Sequence, residues 1–520
     1  MVPQSPARRV AIVGGGIAGI ACSWELRKQD CTVDIYESES RLGGHANSVP
    51  FKGTGKNVDV DTGFIAMDEV TYPQFSTFLK ALGVNTIPTD MSFAVSTGNG
   101  LFEWSSSSLT SFICNLSRLL NPWFWRLMFD IVRFYLFAQD ILFEEATASK
   151  SNKCMGPNSK GANTQDDNFR GIHLETIGDY LRRNRYSDQF RTYFLVPMVA
   201  APWCIDTEDF ERSFPAKPLI RFIHGLLDTL TRRLEWRSFR NGSKTYVDAF
   251  RRSLPPQHRL HLNGSCRAFD YVVLAVHANQ ALNLIGNDAT SLERELLSCF
   301  KTSKNVCYLH SDASHLPRRA SARAAWNCFL DSSKETNKSG LAQSLPDESG
   351  SRKKISITFD MNKLQAIPFP GEPGSPGRVL VSMNPIHIPY SHQSSHVYYH
   401  PLISSESILM ARNLHLINGV SNIGFAGAWM GFGFHEDGFK AGVHAARTFV
   451  DGWHKTPPLD LTADTMGCRV TRLGFAKIGL RMGVLVVQQL LDLKQRIAVG
   501  LGRFTAYTNA QLSSKIHSLW

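Results

Sequence analysis

Short apolar, β-branched runs alternate with helical periodicity at the start of the chain, and that order is then lost. Arg9 to Val13 reads as a buried strand, the stretch up to about Lys28 as a helix, and Thr32 to Tyr36 as a second strand closed by Glu37. Such alternation predicts parallel strands with a helix crossing between them. Beyond residue 45 the segments become mixed, as in a doubly wound fold interrupted by an inserted domain. Two later runs restore the first pattern. Phe269 to Val276 and Asn422 to Ala428 read as strands, and the second leads through a glycine-rich turn into a helix from near Glu436 through Ala446. The chain therefore returns twice to its first sheet, and the domain built on that sheet is discontinuous.

Between these runs, Asn121 and Pro122 stand where an N-cap and a first helical residue belong, and the segment onward to Glu145 is rich in Trp, Phe, Leu and Met. Its charges Arg126, Asp130, Arg133 and Asp140 fall on one helical stripe. The pattern predicts a core helix with a single wet edge; a lipid-facing helix is the other reading, and either could wall an apolar cavity. Polar, low-complexity stretches at 149–168, 331–354 and 367–377 predict loops.

The glycines introduce chemistry. Gly14, Gly16 and Gly19 stand in GxGxxG spacing between the first strand and its helix. A dinucleotide pyrophosphate needs a tight turn at the first glycine, a bare backbone at the second and close helix–sheet packing at the third, with a helix N-terminus facing its charge. Glu37 is then placed to accept hydrogen bonds from the adenosine ribose hydroxyls. A glycine loop without a ligand is the plain alternative, and the fingerprint alone does not separate NAD from FAD.

Arg41-Leu42-Gly43-Gly44-His45 follows directly. With this segment the chain resembles the flavin-containing amine oxidase superfamily, in which an RxGG stretch runs along the FAD pyrophosphate and ribityl chain. The subgroup it resembles most is the amine-oxidase-like FAD proteins found beside, or fused to, cyclopropane fatty acid synthases. Further matching stretches are Asp61-Thr62-Gly63-Phe64, Thr71-Tyr72-Pro73, Asp90-Met91-Ser92-Phe93, Phe214-Pro215-Ala216, Tyr271 to Ala275, and Phe425-Ala426-Gly427-Ala428-Trp429 leading through Gly433 to Gly438. The resemblance covers about residues 8 to 450. It implies an α/β protein in which a discontinuous Rossmann-type FAD-binding domain (1–90, 236–300 and 416–455) carries an inserted α+β substrate domain (91–235 and 301–415), followed by a basic amphipathic tail (456–520).

The same resemblance assigns to FAD the residues Gly14, Gly16, Ile17, Ala18, Gly19, Glu37, Ser38, Arg41, Leu42, Gly43, Gly44 and His45 from the first motifs. Gly427, Ala428, Phe434, His435, Glu436 and Asp437 follow from the last. There a helix N-terminus points at the flavin N1 and C2 carbonyl and would stabilise the charge of the reduced ring. Glu436 and Asp437 also read simply as first-turn carboxylates that favour the helix dipole. His435 is the catalytic candidate, as a proton carrier at the flavin edge, with a structural turn histidine as the alternative. Trp203 and Trp429 are candidates for the cavity, with core packing the default. Asp59 and Asp61 share one strand face but lie too close along it to be an acid and base pair.

The pattern departs from the family at three places. His45 replaces a second arginine, Asn241 replaces a glycine, and after His261 the chain passes almost directly to Phe269-Asp270-Tyr271. The last departure would shorten the adenine cradle and leave a sheet edge unpaired.

Composition narrows the rest. A chain of 520 residues holds two connected domains, and 43% hydrophobic with 19% charged residues describes a globular protein. Ten scattered cysteines without a CxxC pair read as reduced thiols, and the histidines show no metal-ligand spacing. The apolar stretch after Arg8 and Arg9 is the glycine fingerprint itself, so the reading is a cytoplasmic protein and not a secreted one. From Met466 to Trp520 eight basic residues stand against Asp492, supplying +7 of the chain's net +11. Apolar residues between them allow either peripheral contact with an anionic membrane or a helix packed on the body. No nucleic-acid module is present.

The expectation is an FAD-dependent oxidoreductase transferring hydride to or from a small hydrophobic substrate, a lipid acyl chain or polyketide-like metabolite, as desaturase or isomerase. A flavin amine oxidase and a non-catalytic FAD-binding partner protein are the alternatives.

Overall fold

The computed structural model describes residues 8–97, 100, 102–142, 174–231, 235–261, 267–330, 355–452, 455–457, 459, 477–491 and 493. Four of the apolar runs and the more polar strand His258–His261 pair into one wholly parallel sheet, ordered His258–His261, Cys31–Tyr36, Arg8–Val13, Tyr271–Leu274 and Ile423–Phe425. Val10, Ile12, Val33 and Val273 in its centre are fully buried, which is why these strands are almost continuously apolar. Counted in chain order the arrangement is 3-2-1-4-5, the doubly wound order. Its ligand crevice opens at the carboxyl ends of the first and fourth strands, where the winding reverses. His258–His261 forms one edge and carries no further strand among the described residues.

Helix Ile17–Leu26 follows the first strand and helix His435–Asp451 follows the last. They pack almost backbone to backbone. A Cβ on Gly442 would stand 2.1 Å from the Ala18 carbonyl oxygen, and one on Gly438 would stand 2.7 Å from Ile17 Cγ2. Chain segments separated by some four hundred residues are thus joined where side chains are missing.

A second, mixed sheet has seven strands, ordered Ser394–Leu402, Lys301–His310, Leu380–Met383, Ser356–Asp360, Trp326–Leu330, Phe93–Thr97 and Glu103–Ser105. All its pairs are antiparallel except Trp326–Leu330 with Phe93–Thr97. The hairpin Ser48–Phe51 with Val58–Asp61 leads toward it. There the fully buried Asp61 accepts from the Ser48 hydroxyl (2.6 Å) and from the Ser243 amide (2.8 Å) and hydroxyl (2.7 Å), while Asp59 pairs with Lys244 at 2.6 Å. The two aspartates share a face as expected, and both serve the turn at Gly242-Ser243. Trp203 and Trp429 are buried core aromatics whose indole N–H groups donate to the carbonyls of Phe432 (2.7 Å) and Val276 (2.9 Å).

The chain divides into two compact units, 1–122 with 160–467 and 123–159 with 468–520. Helix Pro122–Phe137, placed by the sequence within the inserted domain, groups in the second unit with a helix at 477–491. Its charged stripe is not a wet edge. Asp130 and Arg133 are buried; Arg126 pairs with Asp130 at 3.0 Å, Arg133 donates to Gln488, and Arg481 pairs with Asp140. The charges satisfy one another, so the stripe turns inward while Trp125, Val132 and Tyr135 face outward.

Replacing Gly442 with valine is expected to lower folding stability by about 2 kcal/mol or more, because an overpacked backbone contact has no flexible side chain to yield. Urea unfolding would measure it, and a change of only a few tenths of a kcal/mol would mean that the two helices do not depend on this contact.

Candidate functional site

The crevice predicted by the strand order is built of backbone. Gly14 takes φ +108° at the end of the first strand, and a Cβ there would fall 2.4 Å from the Ala275 carbonyl oxygen. Its amide donates to Tyr36 O at 2.8 Å, closing the turn. A Cβ on Gly16 would meet nothing within 4 Å, so this part of the loop faces open space. Gly19 is the opposite case, with the Gly14 carbonyl oxygen 2.0 Å from where its Cβ would be. Ile17 and Ala18 are buried between the helices.

Glu37 is held in place by its own surroundings. One carboxylate oxygen accepts from the Gly15 amide at 2.8 Å, and the other from the Glu39 amide at 2.9 Å and the Ser38 hydroxyl at 3.2 Å. Arg41 braces the glycine pair, donating to Gly44 O at 3.0 Å and Ala46 O at 3.4 Å and pairing with Glu39 at 2.9 Å. Gly43 N donates to Gly15 O at 2.8 Å, which links the RxGG stretch to the first glycine loop, and Leu42 is buried beneath them.

The distant motif arrives beside them. Gly427 and Ala428 lead through a short 3-10 turn to the start of helix His435–Asp451, and Gly438 lies against both Ile17 and Ala428. Two helix N-termini therefore meet, a place where an anion is favoured and first-turn amides are unspent. Phe434 stacks on Phe222 with centroids 5.2 Å apart.

The carboxylates of this turn are engaged with protein backbone. Glu436 accepts from the first-turn amides of Gln74 (3.1 Å) and Phe75 (2.9 Å), capping helix Pro73–Ala81. Asp437 accepts from Phe432 N (3.1 Å) and Phe434 N (3.0 Å), and burial lifts its carboxyl to about 7. Both match the first-turn reading, and what they can offer a ligand is their amides.

His435 is enclosed. Its ring stacks on Phe64 at 3.8 Å, meets the edge of Phe75 at 5.1 Å, and its Nε2 is hydrogen-bonded to the Tyr246 hydroxyl at 2.7 Å. Burial lowers its pKa to about 3, so it is neutral near pH 7. This geometry suits the structural reading of His435 better than that of a proton carrier, and it places Tyr246 and Phe64 in the site.

His45 has a different setting. It is half-buried, its buried Nε2 has no hydrogen-bond partner among the described residues, and its ring lies 5.1 Å from Tyr398, 5.4 Å from His400 and 6.4 Å from His277. Burial first, then the neighbouring His400, His277, His435 and Arg41, hold its pKa well below the ordinary histidine value. Tyr398 is fixed by Asn47 Nδ2 (2.9 Å) and the Thr62 hydroxyl (2.6 Å). This His/Tyr wall combines His45 and His277 from the parallel-sheet domain with Tyr398 and His400 from the second sheet. Only His45 was read from the sequence; the others belong to no motif, although His277 directly follows the strand run that ends at Val276.

The open space over Gly16, the paired helix N-termini, the fixed Glu37 and the unpartnered His45 nitrogen fit a bound dinucleotide. Tyr36 stacks on His261 at 4.9 Å, where the second strand meets the edge strand His258–His261. Away from this site Asp312, His315 and His387 bring ligand atoms within 4.8 Å of one another, a convergence that sequence spacing did not suggest. Protein hydrogen bonds already use much of it: Asp312 accepts from the Ser314 and Tyr390 amides, and His387 contacts the Ser314 hydroxyl.

Residues 12–82 match the family model described as an NAD(P)-binding Rossmann-like domain. Prenylcysteine oxidase 1 of Mus musculus is 30% identical over 145 residues, 27% of this chain and 26% of that protein. The matched part thus spans about a quarter of that relative. Among solved structures, a CLA-producing fatty acid isomerase from P. acnes superposes with TM-score 0.56 at 13% identity, covering 86% of this chain and 99% of that one. Cyclohexylamine oxidase from Brevibacterium oxydans superposes with TM-score 0.53 at 14% identity, covering 86% and 100%. The chain shares their fold, an amine-oxidase-like α/β architecture with a Rossmann-type domain.

Because His435 is less basic folded than unfolded, the native state binds fewer protons below pH 6.5. Its contribution is complete above that pH and is lost toward pH 3, by at most about 1.4 kcal/mol per pH unit. Asp437, raised to about 7, acts in the opposite direction, taking up its proton on folding. Urea unfolding at pH 7 and pH 5 should therefore show a steeper acid-side loss in the wild type than in His435→Gln. Equal slopes would mean that His435 does not remain neutral in the folded state.

Proposed function

We propose that this chain, amine-oxidase-like in fold, is an FAD-dependent oxidoreductase acting on a hydrophobic substrate such as a lipid acyl chain or polyketide-like metabolite, as an isomerase or desaturase. The observation that carries the reading is the convergence of two glycine turns and two helix N-termini on a crevice lined further on by His and Tyr side chains. FAD bound there supplies a two-electron acceptor that takes hydride from carbon and can return it.

The chain's own residues have separable tasks in this reading. The Gly14–Gly19 loop and its helix bind the pyrophosphate, Glu37 the ribose, and the braced Gly43-Gly44 turn keeps the backbone close to the cofactor. The amides at the start of helix His435–Asp451 favour negative charge on the reduced ring without moving a proton. His45 has one free nitrogen with which to hold a polar atom of cofactor or substrate.

Burial drives His45 and His277 toward the neutral form, and the wall has no carboxylate among its named residues, which favours an acyl chain over an ammonium group. Isomerisation balances within one turnover, since the hydride removed at one carbon returns at another; desaturation leaves the electrons on the flavin and needs an external acceptor. The sequence resemblance to proteins associated with cyclopropane fatty acid synthases and the fold shared with a fatty acid isomerase both support the lipid assignment.

Purified wild type is expected to be yellow and to release stoichiometric flavin on denaturation. Gly16→Glu, which places a carboxylate in the open space over the loop, should lose the flavin while keeping the far-UV circular dichroism spectrum. Anaerobic mixing with unsaturated fatty acids should bleach the flavin or relocate a double bond. Absence of flavin would overturn the proposal. Peroxide release with amines alone would favour amine oxidation, and a bound flavin reduced by dithionite but by no lipid or amine would favour a non-catalytic partner.

A further inference from the structure

The helix at 477–491 has its polarity reversed. Along 477–491 the positions turned from solvent are 477, 481, 484, 488 and 491, and three of them hold Lys477, Arg481 and Gln488. On the outward side Leu480, Met482, Leu485, Val486, Leu490 and Leu493 are each between 46% and 61% exposed. Helix Pro122–Phe137 buries Asp130 and Arg133 alongside Phe124, Leu127, Phe134 and Leu136, and leaves Trp125 57% exposed. Its polar groups find their partners inside the unit: Arg133 donates to Gln488, Arg481 pairs with Asp140 and lies over Phe137, and Lys477 lies over Tyr135.

A helix pair surrounded by water buries apolar side chains and exposes charge. The reverse arrangement, with ionisable groups paired inside and aliphatic groups outside, is that of helices with apolar surroundings. Exposed apolar area of this extent marks a docking face rather than scattered surface residues.

Charge and length select the occupant. Arg469 and Arg472 precede the exposed helix and Lys494 and Arg496 follow it, with Asp492 the sole acid in a tail of net +7. A second copy of the chain would bring two such tails together, whereas an anionic surface neutralises them. Among the described residues no helix is long and apolar enough to cross a membrane. The helix at 477–491 is about 22 Å long against a hydrocarbon core of about 30 Å, so it suits the interfacial layer. We propose that this helix pair docks on the surface of an anionic phospholipid bilayer, its outward aliphatic side chains entering the headgroup–acyl boundary and its flanking arginines and lysines meeting the headgroups.

Flotation of the full chain tests this with phosphatidylcholine vesicles made with and without phosphatidylserine. The protein should float with the phosphatidylserine vesicles at about tenfold higher apparent affinity than with phosphatidylcholine alone, and added salt should weaken it. The double variant Leu485→Glu/Leu490→Glu should stay at the bottom of the gradient with an unchanged melting temperature. Wild type that floats with neither vesicle overturns the proposal, a result independent of folding in the variant. A dimer seen by analytical ultracentrifugation and dissolved by the double variant, without flotation of the wild type, also overturns it and assigns the face to a second copy.

Discussion

The near-contact of two helix backbones is the constraint on which the site depends. Helix Ile17–Leu26 and helix His435–Asp451 approach so closely that neither Gly438 nor Gly442 could carry a Cβ without displacing the first helix. Residues before the first helix make the glycine loop, and residues before the second make the distant turn. Neither segment forms the crevice alone. The missing side chains at 438 and 442 thus set the spacing of two positive helix ends, and the site inherits its electrostatics from a packing detail.

Around that contact, burial determines which groups can do chemistry. His435, His45 and His277 are all driven toward the neutral form, mainly by desolvation. Glu436 and Asp437, which might have repelled an anionic ring, are directed at backbone amides of Gln74, Phe75, Phe432 and Phe434. The site therefore offers backbone dipoles and neutral side chains in place of a charged acid and base. Chemistry of that kind suits a cofactor that brings its own electron sink.

The parallel sheet was legible because its strands are buried on both faces and their apolar runs are unbroken. The first helix was expected to reach Lys28 and ends at Leu26, and the last was expected from Glu436 and begins at His435. The strand at His258–His261 was less visible, since three of its four residues are polar and it lies at an edge. The second sheet was hidden for a different reason: Trp326–Leu330 pairs with Phe93–Thr97, more than two hundred residues away, and local pattern carries no trace of such a partner. Glycine motifs revealed the cofactor end of the site, whereas Tyr398, His400 and Tyr246 come together only through the fold. The charged stripe of helix Pro122–Phe137 was seen as periodic, but period alone does not say which face is inside.

Tyr398 has a consequence for access. Its hydroxyl joins Asn47 and Thr62 to the second sheet, and Gln365 receives the Asp61 amide at 2.7 Å while donating to Asp59 O and Phe239 O at 3.2 Å each. A jaw-like separation of the two sheets would strand all of these buried groups at once, at a cost of about 1–3 kcal/mol for each group left unpaired. Any molecule lying against the His/Tyr wall therefore meets a frame that resists opening as a whole, and it has to fit between sheets whose separation is fixed.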